Sequence, residues 1–62
     1  MDYPTMVKEY REKYFLSQTD LAKKLGVAYV TVNRWENGHY EPTIKCKRKL
    51  NELFKEAHML ED

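Results

Sequence analysis

Tyr29, Val30, Asn33, Arg34 and Asn37 fall on one face of the helix that residues 29–37 would form. At about 100° per residue the five span an arc of about 140°, with Val32 and Trp35 on the opposite side. An ordinary solvated helix face alternates Glu and Lys. This one is hydrogen-bonding, aromatic or small and apolar, and it carries no acid. Such a face suits base edges in a major groove, and the planar fork of Arg34 matches guanine O6 and N7. Tyr29, Val30, Asn33 and Arg34 are the candidate base contacts.

A second helix must hold that face in place. Ser17 is a good N-cap, and Asp20 three residues later completes an S-x-x-D capping-box pattern. Leu21, Ala22 and Leu25 follow at helical spacing, and Gly26 stands where a left-handed stop is needed. Val27 anchors the turn, and Gly38 ends the next helix. Residues 17–38 therefore read as two short helices joined by a tight turn. The second has a weak local start, because Val30, Thr31 and Val32 are β-branched. Packing of Val32 and Trp35 must hold it.

These residues carry a resemblance to a known family. Leu16-Ser17-Gln18, Leu21-Ala22, Leu25-Gly26-Val27, Val32 and Arg34-Trp35-Glu36-Asn37-Gly38 resemble the helix-turn-helix of the Cro/phage-repressor (Xre) family, over about residues 6–45. The resemblance implies an all-α, lambda-repressor-like fold and a transcriptional regulator, usually a repressor, of bacterial or phage type. It implies that Gln18 bonds a phosphate and braces the recognition helix, which the free N–H groups of a helix start would assist. It also implies a structural ion pair between Arg11 and Glu36; the alternative for Arg11 is a surface charge whose stem packs on tyrosines. Two positions depart from the family pattern. Phe15 stands where Gly or a polar residue is usual, which argues against a left-handed stop there and for Phe15 joining the core. Ala28 stands where Ser or Thr usually caps the recognition helix.

The remaining elements follow from spacing. Residues 1–14 read as a first helix capped by Asp2 or Thr5, with Pro4 tolerated in the first turn and Val7, Tyr10 and Tyr14 as its apolar stripe. Leu16 and Leu21 are placed for a hydrophobic staple. His39-Tyr40-Glu41-Pro42 reads as a loop, and Thr43 as the cap of a long C-terminal helix. Cys46, Leu50, Leu53, Phe54 and Ala57 form its apolar stripe, Leu60 lies beside it, and no Gly or Pro interrupts the run. A thiol on that stripe reads as buried and inert. Lys45, Lys47, Arg48 and Lys49 crowd its first half. They are either a solvated basic face or, at Lys45, a contact to the DNA backbone. Asn37, His39, Tyr40, Thr43 and Lys45, with Gln18, are the candidate phosphate contacts.

Composition sets the bounds. A chain of 62 residues makes a single domain, 1–62, with no room for a deep enzyme cleft. The net charge of +1 conceals an asymmetry: residues 1–51 hold ten Lys/Arg against six Asp/Glu, and residues 52–62 hold one against four. Cys46 is the only cysteine, and neither His39 nor His58 has partners at ligand spacing, so no disulfide, metal or cofactor is expected. No apolar run approaches a membrane span and no leader is evident, so a cytoplasmic protein is expected. The expectation is a small four-helix, sequence-specific double-stranded DNA-binding regulator, not an enzyme. It would pair as a homodimer, formed only on DNA, with Met59 and Leu60 at any protein contact. The alternative is a protein-interaction module, antitoxin-like or coactivator-like, that kept the fold without reading a groove; the acidic C-terminus favours it.

Overall fold

The structure, a computed structural model, describes residues 2–60. The expected helix start at Met1 and the acids Glu61 and Asp62 lie outside the described residues. Among these residues there are four helices and no strand: α1 (Tyr3–Lys13), α2 (Gln18–Leu25), α3 (Tyr29–Glu36) and α4 (Ile44–Glu56). The longest is α4, at 13 residues. Helix α3 stops one residue short of the expected 29–37 span, with Asn37 as its C-cap.

Three of the four helix starts are capped by side chains. The Asp2 carboxylate accepts from the Thr5 N–H, and the Thr43 hydroxyl accepts from the Cys46 N–H. At α2 the capping box is complete: the Ser17 hydroxyl accepts from the Asp20 N–H at 3.0 Å, and the Asp20 carboxylate accepts from the Ser17 N–H at 3.1 Å. Ala28, at the start of α3, has the extended backbone of an N-cap and no side-chain bond to give.

All four helices end in one geometry. A residue in the left-handed region stands at the C-cap (Gly26 of α2) or just after it, and the next residue's N–H reaches five positions back in the Schellman pattern. The long bonds run from Leu16 to Arg11 O at 2.8 Å, Val27 to Ala22 O at 3.0 Å, His39 to Arg34 O at 3.0 Å and Met59 to Phe54 O at 2.8 Å. Gly26 and Gly38 take the left-handed position at no steric cost, both at φ 73°. Phe15 (φ 55°) and His58 (φ 58°) take it against the preference of an L-residue.

This corrects three expectations. Phe15 is itself the left-handed stop, and at 93% exposure it adds nothing to the core. Helix α4 does not carry its stripe on to Leu60. It stops at Glu56, and the turn at His58 folds Met59 and Leu60 back against the core as half-buried cover. Tyr14 likewise leaves the stripe, because the chain departs from helical geometry there. Its place is taken by Tyr3, buried with Val7 and Tyr10.

The core is one cluster drawn from every helix: Tyr3, Val7 and Tyr10; Leu21, Ala22 and Leu25; Val32 and Trp35; Leu50, Phe54 and Ala57. Phe54 sits between the rings of Tyr3 and Tyr10, with centroids 6.4 and 6.1 Å away. Ala22 is fully covered, so α2 and α3 pack closely at that point. Two lysines tie helix ends across the fold. Lys49 donates to the Leu25 carbonyl at the end of α2 at 3.2 Å, and Lys13 donates to the Ala57 carbonyl at the end of α4. Each places a cation at the negative end of a helix dipole.

Two substitutions test these helix ends. Ala28→Ser supplies the missing cap and should stabilise the protein by about 0.5–2 kcal/mol. Phe15→Gly relieves the left-handed strain and should gain about 0.5–1 kcal/mol after the entropy of a glycine in the unfolded chain is offset. Thermal melts showing a loss for either would contradict the assigned helix boundary.

Candidate nucleic-acid interface

A chain of charged and amide groups runs from α1 through α2 to the outer face of α3. The Arg11 guanidinium grips the Glu36 carboxylate with both arms of its fork: Nε donates to Oε2 at 2.5 Å and Nη2 to Oε1 at 2.7 Å. Its remaining arm, Nη1, donates to the Leu16 carbonyl at 3.1 Å. Glu36 Oε1 also accepts from Gln18 Nε2 at 3.2 Å. Gln18 Oε1 accepts from Asn33 Nδ2 at 3.1 Å, and Asn33 Oδ1 accepts from Asn37 Nδ2 at 3.1 Å. One continuous path therefore joins Arg11, Glu36, Gln18, Asn33 and Asn37.

The pair at the root of this path is largely shielded, with 17% of the Arg11 side chain and 7% of the Glu36 side chain exposed. Burial pushes the Glu36 carboxyl upward. The hydrogen bonds from Arg11 and Gln18 and the charges of Arg11 and Lys8 outweigh that and hold it below its ordinary value. The bond to Glu36 raises Arg11 in turn, against its own burial. Two parallel charge-assisted bonds fix orientation as well as distance. The end of α3 is thereby set against the end of α1 and the corner before α2.

The outer face of α3 presents Tyr29, Val30 and Arg34 exposed, and Asn33 half-buried through its bond to Gln18. Arg34 lies at the edge of that face, its Cζ over the Tyr40 ring at 5.2 Å from the centroid. The one acid of α3, Glu36, is engaged by Arg11 and only 7% of its side chain is exposed. The polar residues expected along phosphates separate into two groups. Gln18 and Asn37 belong to the amide chain; Gln18 has one Nε2 hydrogen and the N–H groups of the α2 start left to offer outward. His39, Tyr40, Thr43 and Lys45 lie exposed beyond α3, through the loop and into the start of α4. Lys47 pairs with Glu41 at 3.1 Å, and Lys49 is occupied at Leu25. Cys46 is half-buried and lines a groove of about 220 Å³ with Thr31, Arg34, Trp35 and Tyr40.

The amide chain from Gln18 to Asn37 was not anticipated in full. Asn33 and Asn37 stand four apart on one helix, a spacing that brings side chains together. The Gln18–Asn33 link spans two helices and has no local signal.

A family model described as "Helix-turn-helix" matches residues 7–55. The chain belongs to the Xre/Cro-type helix-turn-helix family. Among curated relatives it is 44% identical over 48 residues to an uncharacterised HTH-type transcriptional regulator of Methanocaldococcus jannaschii, covering 77% of this chain and 73% of that one. It is 38% identical over 50 residues to an uncharacterised HTH-type transcriptional regulator of Archaeoglobus fulgidus, covering 81% of this chain and 71% of that one. A third, from Methanothermobacter thermautotrophicus, is 27% identical over 55 residues, covering 89% and 80%. No solved structure matches the chain. These relatives are archaeal, whereas the family resemblance alone pointed to bacteria and phages. The family is one of transcriptional regulators and not an enzyme class. No group of metal-binding side chains occurs among the described residues, and no helix there is long and apolar enough to cross a membrane.

The shielded pair makes stability depend on acid. A carboxylate held below its ordinary pKa stabilises the fold fully above its unfolded-state pKa and loses that contribution as pH falls through the folded value. Melting temperature should therefore hold from neutrality down to about pH 4.5 and fall below it. Glu36→Gln should cost about 3 kcal/mol at pH 7 by leaving Arg11 unpaired, and should flatten the acid limb. A shallow limb should persist, because bonds from Ser17 lower Asp20 in the same direction. An acid limb unchanged in Glu36→Gln would contradict the role given to the pair.

Proposed function

We propose that this protein is a sequence-specific double-stranded DNA-binding transcriptional regulator that lays α3 in the major groove. The observation that carries the reading is the outer face of α3. Tyr29, Val30, Asn33 and Arg34 line it, the one acid of α3, Glu36, is shielded and paired with Arg11, and the bonded chain from Arg11 to Asn37 holds that helix in position. Gln18, Asn37, His39, Tyr40, Thr43 and Lys45 flank the face on two sides and would follow the phosphates of the groove's edges. Membership of a family of transcriptional regulators supports the same reading.

The described fold acts as a single DNA-binding domain. One such module covers about 600–1,000 Å² of protein surface on DNA, so two copies on half-sites about one turn apart would give a tight complex. Met59 and Leu60 fold onto the core, which leaves little protruding apolar surface at the end of α4 and favours pairing that depends on DNA. The setting is the cytoplasm, where an archaeal or bacterial genome lies, and repression by occupying a promoter is the simplest outcome for a module of this size. A second reading, a protein-interaction module, draws on Phe15, a large apolar side chain held in a strained turn and directed to solvent.

Arg34 and Lys45 should fail differently when replaced by alanine. Arg34→Ala should cost about 1–3 kcal/mol on a site chosen from randomised DNA and relax preference at one base pair, with scrambled DNA bound nearly as before. Lys45→Ala should weaken all sequences alike and reduce the salt slope by about 1. Binding isotherms at several salt concentrations decide the matter. Base preference intact in Arg34→Ala would remove the case for α3 as the reading element, and absence of any DNA binding at low salt would favour the interaction module.

A further inference from the structure

Arg34 is the long, flexible member of the α3 face, and free arginine loses much rotamer freedom when it docks. Three features limit that freedom here. The chain turns back at Gly38 so that the His39 N–H bonds the carbonyl of Arg34 itself at 3.0 Å. The next residue, Tyr40, then lies beneath the guanidinium, 5.2 Å from ring centroid to Cζ. Buried Pro42 and the α4 cap at Thr43 fix the far end of the loop. Among the described residues Glu41 is the only acid lining the groove beside Arg34, and its carboxylate is engaged by Lys47 at 3.1 Å. Among the described residues no carboxylate pairs with Arg34, so its N–H fork keeps its donors.

We infer that Tyr40 is a positioning residue for base selection: its ring face holds the Arg34 guanidinium toward the groove, and its role is separate from any phosphate contact by its hydroxyl. The inference rests on the reading of α3 as the groove-facing helix. It gives Tyr40, 60% exposed, a platform role beside the proposed backbone contact. A cation held over an exposed aromatic ring gains little energy in itself, so the effect falls on discrimination more than on total affinity.

The test uses the full chain with DNA sites selected from a random pool, and reads base preference alongside the free protein's NMR spectrum. In the free protein, ring current should move the Arg34 side-chain resonances upfield in wild type and Tyr40→Phe, and Tyr40→Ala should abolish the shift. On DNA, Tyr40→Ala should lower preference about two- to fivefold at the base pair that Arg34→Ala relaxes. Arg34→Ala/Tyr40→Ala should relax it no further than Arg34→Ala alone, and Tyr40→Phe should keep wild-type preference. Full preference in Tyr40→Ala, or equal and sequence-independent losses in Tyr40→Ala and Tyr40→Phe, would overturn the platform and leave α3 as reader. A wild-type protein that selects no site at all would overturn both, and that result is visible before any variant is made.

Discussion

The two-armed contact between Arg11 and Glu36 is the constraint on which the rest of the candidate interface depends. It joins residues 25 apart and brings together the end of α1, the corner before α2 and the last turn of α3. A nearly buried carboxylate is tolerable only with its charge matched and its oxygens occupied, and Arg11 and Gln18 meet that requirement. Each further amide then takes its orientation from the one before it. Asn33 is half-buried, yet it sits on the outer face with a fixed amide plane because Gln18 is fixed by Glu36. Pairing in the interior and presentation at the surface are here two ends of one hydrogen-bonded path.

A fold this small has few interior contacts to set its corners, and local backbone geometry supplies the remainder. Four Schellman turns close the four helices, and two side-chain ammonium groups bind the final carbonyls of helices distant in sequence. Two of the turns use residues that resist the left-handed region, Phe15 and His58. At His58 the packing of Met59 against the core compensates. At Phe15 the bond from Leu16 to the Arg11 carbonyl, and the reach of Arg11 back to Leu16 O, hold the turn in place. One of the two strained turns thus falls at the corner next to the Arg11–Glu36 pair, where Arg11 itself bonds the turn.

Helix identity was legible in the sequence where local chemistry decides it. Ser17 with Asp20, Gly26, Gly38 and Thr43 mark ends that the structure shows, and Leu21, Val32, Trp35, Leu50 and Phe54 lie in the core as their spacing requires. The misreadings share a cause. Phe15 has a side chain suited to the core and Leu60 extends an apolar stripe, so residue type argued for burial and for continued helix. Backbone closure overrode both, because the turns after α1 and α4 satisfy carbonyls that further helix would have carried elsewhere. The links between Gln18 and Asn33 and between Arg34 and Tyr40 lie beyond local reading, since they depend on how α2, α3 and the following loop are set in space.

Isotopically labelled protein titrated with a selected duplex tests the central claim most directly. The account predicts that the backbone signals of Tyr29–Arg34 and the side-chain amides of Gln18, Asn33 and Asn37 move together and saturate at one DNA ratio. Smaller changes should follow from His39 to Lys45, and the signals of Met59 and Leu60 should stay in place. Perturbation centred on Phe15 and Tyr14 with the α3 signals unmoved would contradict it, as would a titration in which the amides of Asn33 and Asn37 never shift.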